Sequence, residues 1–341
     1  MDERLHWLYS VVVPLPEKAL IAQVRRLANS SRHKSRQAPN RTIINGIGDD
    51  CAVLRVGAGL DPLVTTDFTL EGVHFRRDWH PPESVGHRCL ARGLSDIAAM
   101  GGEPIAVFLS LALPHDLQQS WVNRFITSLT NLAYKHGATL AGGDTAQSPA
   151  GILADIVVLG TVPKKRAILR SRARPGDRIY VSGELGGSAA AVARLRAHPK
   201  KKLDPRAYPR HFYPETRLEL GRFLREKNLV SAMIDTSDGL STDLAHICEE
   251  SAVGAEVESS AIPLAHVGKP AHEVDLELAL HGGEDYELLF TVPEDKRIPS
   301  RIAGVKVAQI GKITRSRGIF LKNSKGQTSK LRPQGWEHFR K

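Results

Sequence analysis

The stretch AMIDTSDGLSTDLAHICEE (232–250) reads as a short β-strand, an acidic turn and a helix in succession. AMID (232–235) is an apolar run ending in a carboxylate, bounded by turn residues as buried strands are. DTSDG (235–239) supplies the side-chain acceptors and the glycine that tight turns favour, and a helix follows near 240–250. The same succession of apolar strand into acidic turn recurs in LVTTD (63–67) and TLAGGD (139–144). Loops at strand ends are where α/β folds place ligands. The pattern therefore predicts a mixed α/β fold with a site made of loops.

Outward from these turns, apolar runs at 62–67, 105–113 and 152–162 alternate with helical patterns. One helix is expected from about Glu83 to Met100, with Val85, Cys89 or Leu90, Leu94 and Ile97 on one face. Another follows Asp116, with Val122, Phe125, Leu129 and Leu132 inward. After a basic, Pro-containing stretch near 163–177 the pattern restarts with strands at 178–183, 232–235, 286–292 and 305–311. Helices are expected from GGSAAAVARL (186–195) and near 214–226, 240–250 and 271–280. With 341 residues, two domains are expected, 1–165 and 166–341.

The formal charge of +10 raises a nucleic-acid reading. Its distribution argues for solvated loops instead, because the basic residues gather at 31–41, 164–178 and 196–211 with proline in each and no interleaved aromatic platform. Cys51, Cys89 and Cys248 are widely spaced and odd in number, which suits a reducing cytoplasm and neither a disulfide framework nor a CxxC site. The apolar run near the start is too short for a membrane span.

GxxxxGK[ST], intact GxGxxG, HExxH and GxSxG are all missing. What stands in their place is a set of turn aspartates in GIGDD (46–50), TTD (65–67), LSD (94–96), GGD (142–144) and DTSDG. Any one alone is ordinary turn chemistry. If Asp50, Asp67, Asp96, Asp144, Asp235 and Asp238 converge, their repulsion calls for cations between them, and a Cys-free oxygen set selects Mg²⁺ over Zn²⁺. Mg²⁺ in turn points to a polyphosphate.

GIGDDCAVL, TTDFTLEGVHF, ARGLSDIAAMGG, LAGGDT, DTSDGLSTDLAHI and HGGEDYELLF, in this order, resemble the thiamine-monophosphate kinases. That family lies within the superfamily of aminoimidazole ribonucleotide synthetase and selenophosphate synthetase, and the likeness spans residues 17–340. It implies ATP-dependent phosphorylation of thiamine monophosphate to thiamine diphosphate by direct in-line transfer, with no catalytic side-chain nucleophile. It also implies a two-domain fold like that of aminoimidazole ribonucleotide synthetase. In that arrangement residues 1–165 bind ATP and Mg²⁺ and dimerise, their sheets joining into a barrel across a homodimer, and residues 166–341 complete the site. Several Mg²⁺ ions would be held by Asp50, Thr65, Thr66, Asp67, Asp96, Asp144, Asp235 and Asp238, and ATP by Gly143, Asp144, Arg170 and Ser237. His74, Glu284 and Trp336 would hold the acceptor. No nucleic-acid or membrane partner is implied.

Plainer readings stand beside these. Arg170 has register alternatives in Arg166 and Arg172, His74 could be a packed or surface histidine, Glu284 could decorate its turn, and Trp336 could plug the core. The chain departs from the family pattern ahead of position 17 and in the Lys-rich stretch 199–202. A related ATP-dependent synthetase and, from another class, a basic nucleic-acid-binding protein are the competing functions.

Overall fold

The computed structural model describes residues 19, 23–27, 42–45 and 53–336. Asp50 and Cys51 lie outside the described residues, as does the basic stretch 31–41. The chain forms two compact units. The first holds the described residues up to Val56 with Thr66–Leu90 and Ile105–Leu159; the second holds Gly57–Thr65, Ala91–Pro104 and Gly160 onward.

Early in the chain β1 (Ile43–Asn45) pairs antiparallel with β2 (Val53–Leu54). A four-stranded sheet then runs in the order β3 (Leu60–Leu70), β6 (Leu153–Pro163), β4 (Glu103–Pro114), β5 (Thr139–Ser148). β4 and β5 are parallel, so the sheet is mixed in character and open rather than closed into a barrel. Helix α1 (Pro82–Ala99) begins with the proline that suits a first helical position. Its residues Val85, Cys89, Leu90, Leu94 and Ile97 are all at most 1% exposed, on the face the periodicity predicts. Helix α2 (Gln119–Lys135) buries Val122, Phe125, Leu129 and Leu132, and Trp121 stacks on both Phe75 and Phe125.

The large sheet belongs wholly to the second unit. Its order is β16 (Thr328–Lys330), β15 (Gly318–Lys322), β9 (Gly254–Glu258), β14 (Val305–Thr314), β7 (Arg178–Ser182), β12 (Leu288–Val292), β8 (Ala232–Asp235), with β13 (Arg301–Ile302) on β14. Only β15 on β9 is parallel. β12 is buried throughout and β7 nearly so, which is why IYVS and LLFTV read as continuous runs rather than as alternating ones. Helices α3 (Gly187–Ala197), α4 (Pro209–Phe212), α5 (Leu218–Glu226), α6 (Leu240–Glu250) and α7 (Leu276–His281) complete the unit. Leu240, Leu244 and Ile247 of α6 pack into one core with Ile179, Val181, Ile234 and Leu289 of the sheet.

Three expected elements differ in extent. The helix expected at 271–280 begins at Leu276, because His272–Glu273 (β11) pairs with His266–Val267 (β10). The strand expected from 286 begins at 288, because Tyr286 has φ of +52°. The helix expected from 214 begins at Leu218. Among the described residues no helix is long and apolar enough to cross a membrane.

Candidate active site

One face of α1 carries the first part of the site. Residues 92, 95 and 96 stand at i, i+3 and i+4, so their side chains share that face. Arg92 Nη2 donates to Glu284 Oε1 at 3.0 Å, Ser95 Oγ donates to Asp235 Oδ2 at 2.7 Å, and Thr65 Oγ1 donates to Asp96 Oδ2. Three site carboxylates named from sequence are thereby tied to a single helical stripe.

The antiparallel pairing of β8 with β12 puts Asp235 opposite Leu288, so DTSDG and GGEDYEL meet at one end of the sheet. They interlock through the backbone: Thr236 N to Glu287 O at 2.7 Å, Tyr286 N to Thr236 O at 3.0 Å, and Glu284 N to Ser237 O at 2.8 Å. The C-terminal GW segment docks on the same loop. Trp336 N donates to Asp238 O at 3.0 Å and Gly335 N to Thr242 Oγ1 at 3.0 Å. A Cβ on Gly335 would sit 2.0 Å from Asp238 O, so only glycine allows that approach. Trp336 itself is 49% exposed, which removes the core-plug reading.

Glu284 (φ +65°) and Tyr286 (φ +52°) occupy the left-handed region on either side of Asp285. Such residues persist only where their surroundings over-determine them, and here the surroundings are visible. The Asp285 carboxylate is buried and accepts from Gly186 N (2.6 Å) and Ser188 N (3.3 Å) at the start of α3. Burial pushes its carboxyl up to about 7 against the opposing pull of those two N–H groups and of Arg210. Glu287, fully buried, accepts from Ser182 Oγ at 2.5 Å, from Arg217 Nε and Nη2 at 2.6 Å each, and from Arg210. Burial alone would raise its carboxyl; the arginine bonds and charges outweigh it and hold the group below the ordinary range.

Beneath the DTSDG turn, Asp243 Oδ2 accepts from Asp238 N (3.2 Å) and Gly239 N (3.0 Å) at the start of α6. Burial, and then the charges of Asp235 and Asp238, raise its carboxyl well above the usual range. Asp238, Asp243 and His246 bring ligand atoms within 4.8 Å of one another. Crowded carboxylates that repel one another in a buried setting fit a hard divalent cation.

Of the remaining named residues, Thr66, Asp67, His74, Gly143 and Asp144 lie on the first unit. Thr65 and Asp67 point to one side of β3, and Thr66 to the other, exposed side, where its Oγ1 donates to Asp155 Oδ1 at 2.7 Å. His74 Nδ1 accepts from Leu70 N at 3.0 Å, which leaves Nε2 as the proton-bearing nitrogen of the neutral ring. Gly143 pairs with Leu109 at φ +149°, and a Cβ there would meet Leu109 O at 1.9 Å. The next residue, Asp144, is exposed, with Oδ1 accepting from Thr145 N at 2.8 Å. Back on the second unit, exposed Arg170 is placed by Ser251 Oγ, which donates to its carbonyl at 2.7 Å.

Residues 48–162 match the AIR synthase related protein, N-terminal domain, and residues 174–322 its C-terminal domain. The thiamine-monophosphate kinase of Escherichia coli (strain K12) is 39% identical over 306 residues, covering 86% of this chain and 91% of the relative. The chain belongs to the thiamine-monophosphate kinase family. Solved structures of family members superpose well. The crystal structure of the thiamine-monophosphate kinase from Stenotrophomonas maltophilia K279a has a TM-score of 0.74 at 33% identity, over 91% of this chain and 97% of that one. The complex of AaThiL with AMPPCP and TMP has a TM-score of 0.73 at 31% identity, over 95% and 99%.

Within this thiamine-monophosphate kinase family chain, Arg92, Ser95, Asp243 and His246 escaped the sequence reading. A signal existed for the first two, because the i, i+3, i+4 spacing puts them beside Asp96. For Asp243 the signal was its place in the first turn of a helix, where a carboxylate can reach back to free N–H groups.

Proposed function

We propose that this chain transfers the γ-phosphoryl group of ATP to thiamine monophosphate, yielding thiamine diphosphate by direct in-line transfer. What supports the reading most is the interlocking of DTSDG, GGEDYEL and the C-terminal GW on a carboxylate-rich loop, in a chain that aligns over 95% of its length with a kinase held with AMPPCP and TMP.

In this reading Gly143, Asp144, Arg170 and Ser237 hold the nucleotide, while His74, Glu284 and Trp336 hold the acceptor. His74 brings a proton-bearing Nε2, Glu284 a carboxylate and Trp336 an aromatic face on a residue that is half exposed. The oxygen-only set of Asp67, Asp96, Asp144, Asp235 and Asp238, with Thr65 and Thr66, suits Mg²⁺, and Asp50 belongs to the same set by sequence. Bound there, Mg²⁺ supplies charge neutralisation, since unit charges about 4 Å apart repel by ~4 kcal/mol at an effective dielectric of ~20. The attacking phosphate oxygen is already ionised near neutrality, so the protein's work is positioning and not proton abstraction. The division at 165/166, into a nucleotide-binding part and a part that completes the site, belongs to the same proposal.

A homodimer is also part of it. Leu60, Val64 and Phe68 line one face of β3, an edge strand, at 37%, 66% and 55% exposure, the kind of apolar stripe that a second copy covers. Light scattering should give twice the chain mass for the wild type and a monomer for Phe68→Asp.

The deciding experiment for the activity is a product assay with purified protein, ATP, Mg²⁺ and thiamine monophosphate, with thiamine and an aminoimidazole precursor as control acceptors. Thiamine diphosphate from the first acceptor only is expected. Turnover of a control acceptor in its place would assign the chain to a different branch.

A further inference from the structure

We propose, resting on the kinase reading above, that Arg92 is a positioning residue for acceptor binding, and that it acts by orienting the Glu284 side chain. The guanidinium is 9% exposed and the Glu284 side chain 24% exposed, so the pair is closed on the helix side and open on the carboxylate side. A buried ion pair is a poor device for stability alone, because apolar side chains of the same volume commonly do as well or better. The rest of the stripe has the same character. Ser95 and Asp96, on the same face, each bond to a residue assigned to the site, Asp235 and Thr65.

Glu284 needs such support. Its backbone is left-handed without being glycine, it follows Gly282 and Gly283, and its own N–H is committed to Ser237 O. Asp285 anchors the turn's far side to the start of α3, which fixes the backbone but does not by itself choose among the Glu284 side-chain rotamers. The 3.0 Å bond from Arg92 favours one of those directions. Arginine suits this role because its planar donor fork fixes orientation as well as charge, whereas lysine supplies a point charge on a flexible stem.

The test is a double-mutant cycle on the full chain, with acceptor KM, ATP KM, kcat and melting temperature measured for wild type, Arg92→Gln, Glu284→Gln and the double variant, and with Arg92→Lys alongside. The proposal expects Arg92→Gln to raise the acceptor KM about tenfold, roughly 1.4 kcal/mol, with ATP KM within about twofold of wild type and melting temperature nearly unchanged. Arg92→Lys should recover part of the loss. In the Glu284→Gln background the Arg92→Gln change should alter acceptor KM by less than about twofold, because the group it positions has changed. Independent, multiplicative effects on acceptor KM would overturn the proposal, as would equal rises in both KM values or a lowered melting temperature with acceptor KM unchanged. Should Arg92→Gln fail to fold, Arg92→Lys in the two Glu284 backgrounds carries the same comparison. A wild-type protein that makes no thiamine diphosphate would remove the kinase reading and this proposal together; an active wild type with multiplicative effects removes this proposal alone.

Discussion

The two regions that carry the acidic motifs are built on opposite plans. On the second unit, Asp285 and Glu287 are at most 3% exposed and each carboxylate is met by amide, hydroxyl or guanidinium donors from another segment. On β5 of the first unit, Asp144 follows a glycine forced by close backbone approach and stands exposed beside its neighbour's amide. A sequence motif does not distinguish the two, since GGD and GGED look alike. Burial separates them: one set holds the loops in place, and the other faces solvent.

The sharpest way to break this contrast is to mutate each plan in turn. Glu287→Ala leaves Arg217, 5% exposed, with exposed Glu215 as its carboxylate partner in place of the buried one, and breaking such a buried pair costs up to about 3–5 kcal/mol of stability. Urea unfolding should show the midpoint collapse with the slope unchanged. A shift below about 1 kcal/mol would mean that the network does not hold the turn. Asp144→Asn is the counterpart on the first unit. Its stability should stay within about 0.5 kcal/mol of wild type, as for an exposed position, while turnover falls by about a hundredfold or more, ~2.7 kcal/mol of barrier. Wild-type turnover at saturating Mg²⁺ would exclude Asp144 from the site.

A gentler probe is pH. The Asp285 carboxyl is raised by burial to about 7, above its unfolded value near ~3.9. The folded state therefore holds this proton more tightly. The stability it contributes is complete below about pH 4 and is lost as pH rises through about 7. Asp285→Asn removes that titration, so the melting temperature of the variant minus that of wild type should climb between pH 5 and pH 8. A flat difference would show that Asp285 is ionised throughout that range.

Much of the fold is legible in the sequence because periodicity is a local property. The buried faces of α1 and α2 follow from their 3.6-residue spacing, and the strands β4, β6, β7 and β8 follow from apolar runs bounded by turns. The turn aspartates are legible as residues with a common chemistry. Their grouping is not, because it depends on strand order. β8 and β12 are neighbours, yet more than 50 residues separate them in the chain, and it is this pairing that brings DTSDG onto GGEDYEL. Helix α7 is misread in extent for a related reason: Val274, Leu276, Leu278 and Leu280 alternate, and the pairing of 272–273 with 266–267 decides where the helix can begin. Buried Arg92 is invisible by composition, since an arginine in a helix is by default a surface residue.

The smallest expected effect concerns Trp336, which shares features of both plans. Its backbone is fastened to Asp238 O and its neighbour Gly335 to Thr242, while its indole remains half exposed. A fixed backbone on a half-exposed aromatic residue suits a contact surface for a ligand better than a packing element. Thiamine carries a permanently positive thiazolium, and an indole face attracts such a cation by about 0.5–2 kcal/mol depending on desolvation. Trp336→Ala should therefore raise the KM for thiamine monophosphate by roughly a few-fold to thirty-fold, at about 1.4 kcal/mol per decade, with the ATP KM nearly unchanged. Trp336→Phe should recover much of the loss, because the ring face is kept and the indole N–H is not needed for the attraction. The melting temperature of both variants should stay close to wild type, since little apolar area is withdrawn from the core. An unchanged acceptor KM with a lowered melting temperature would reverse the assignment, placing Trp336 with Glu287 among the residues that hold the loops and not with Asp144 among those that meet the ligand.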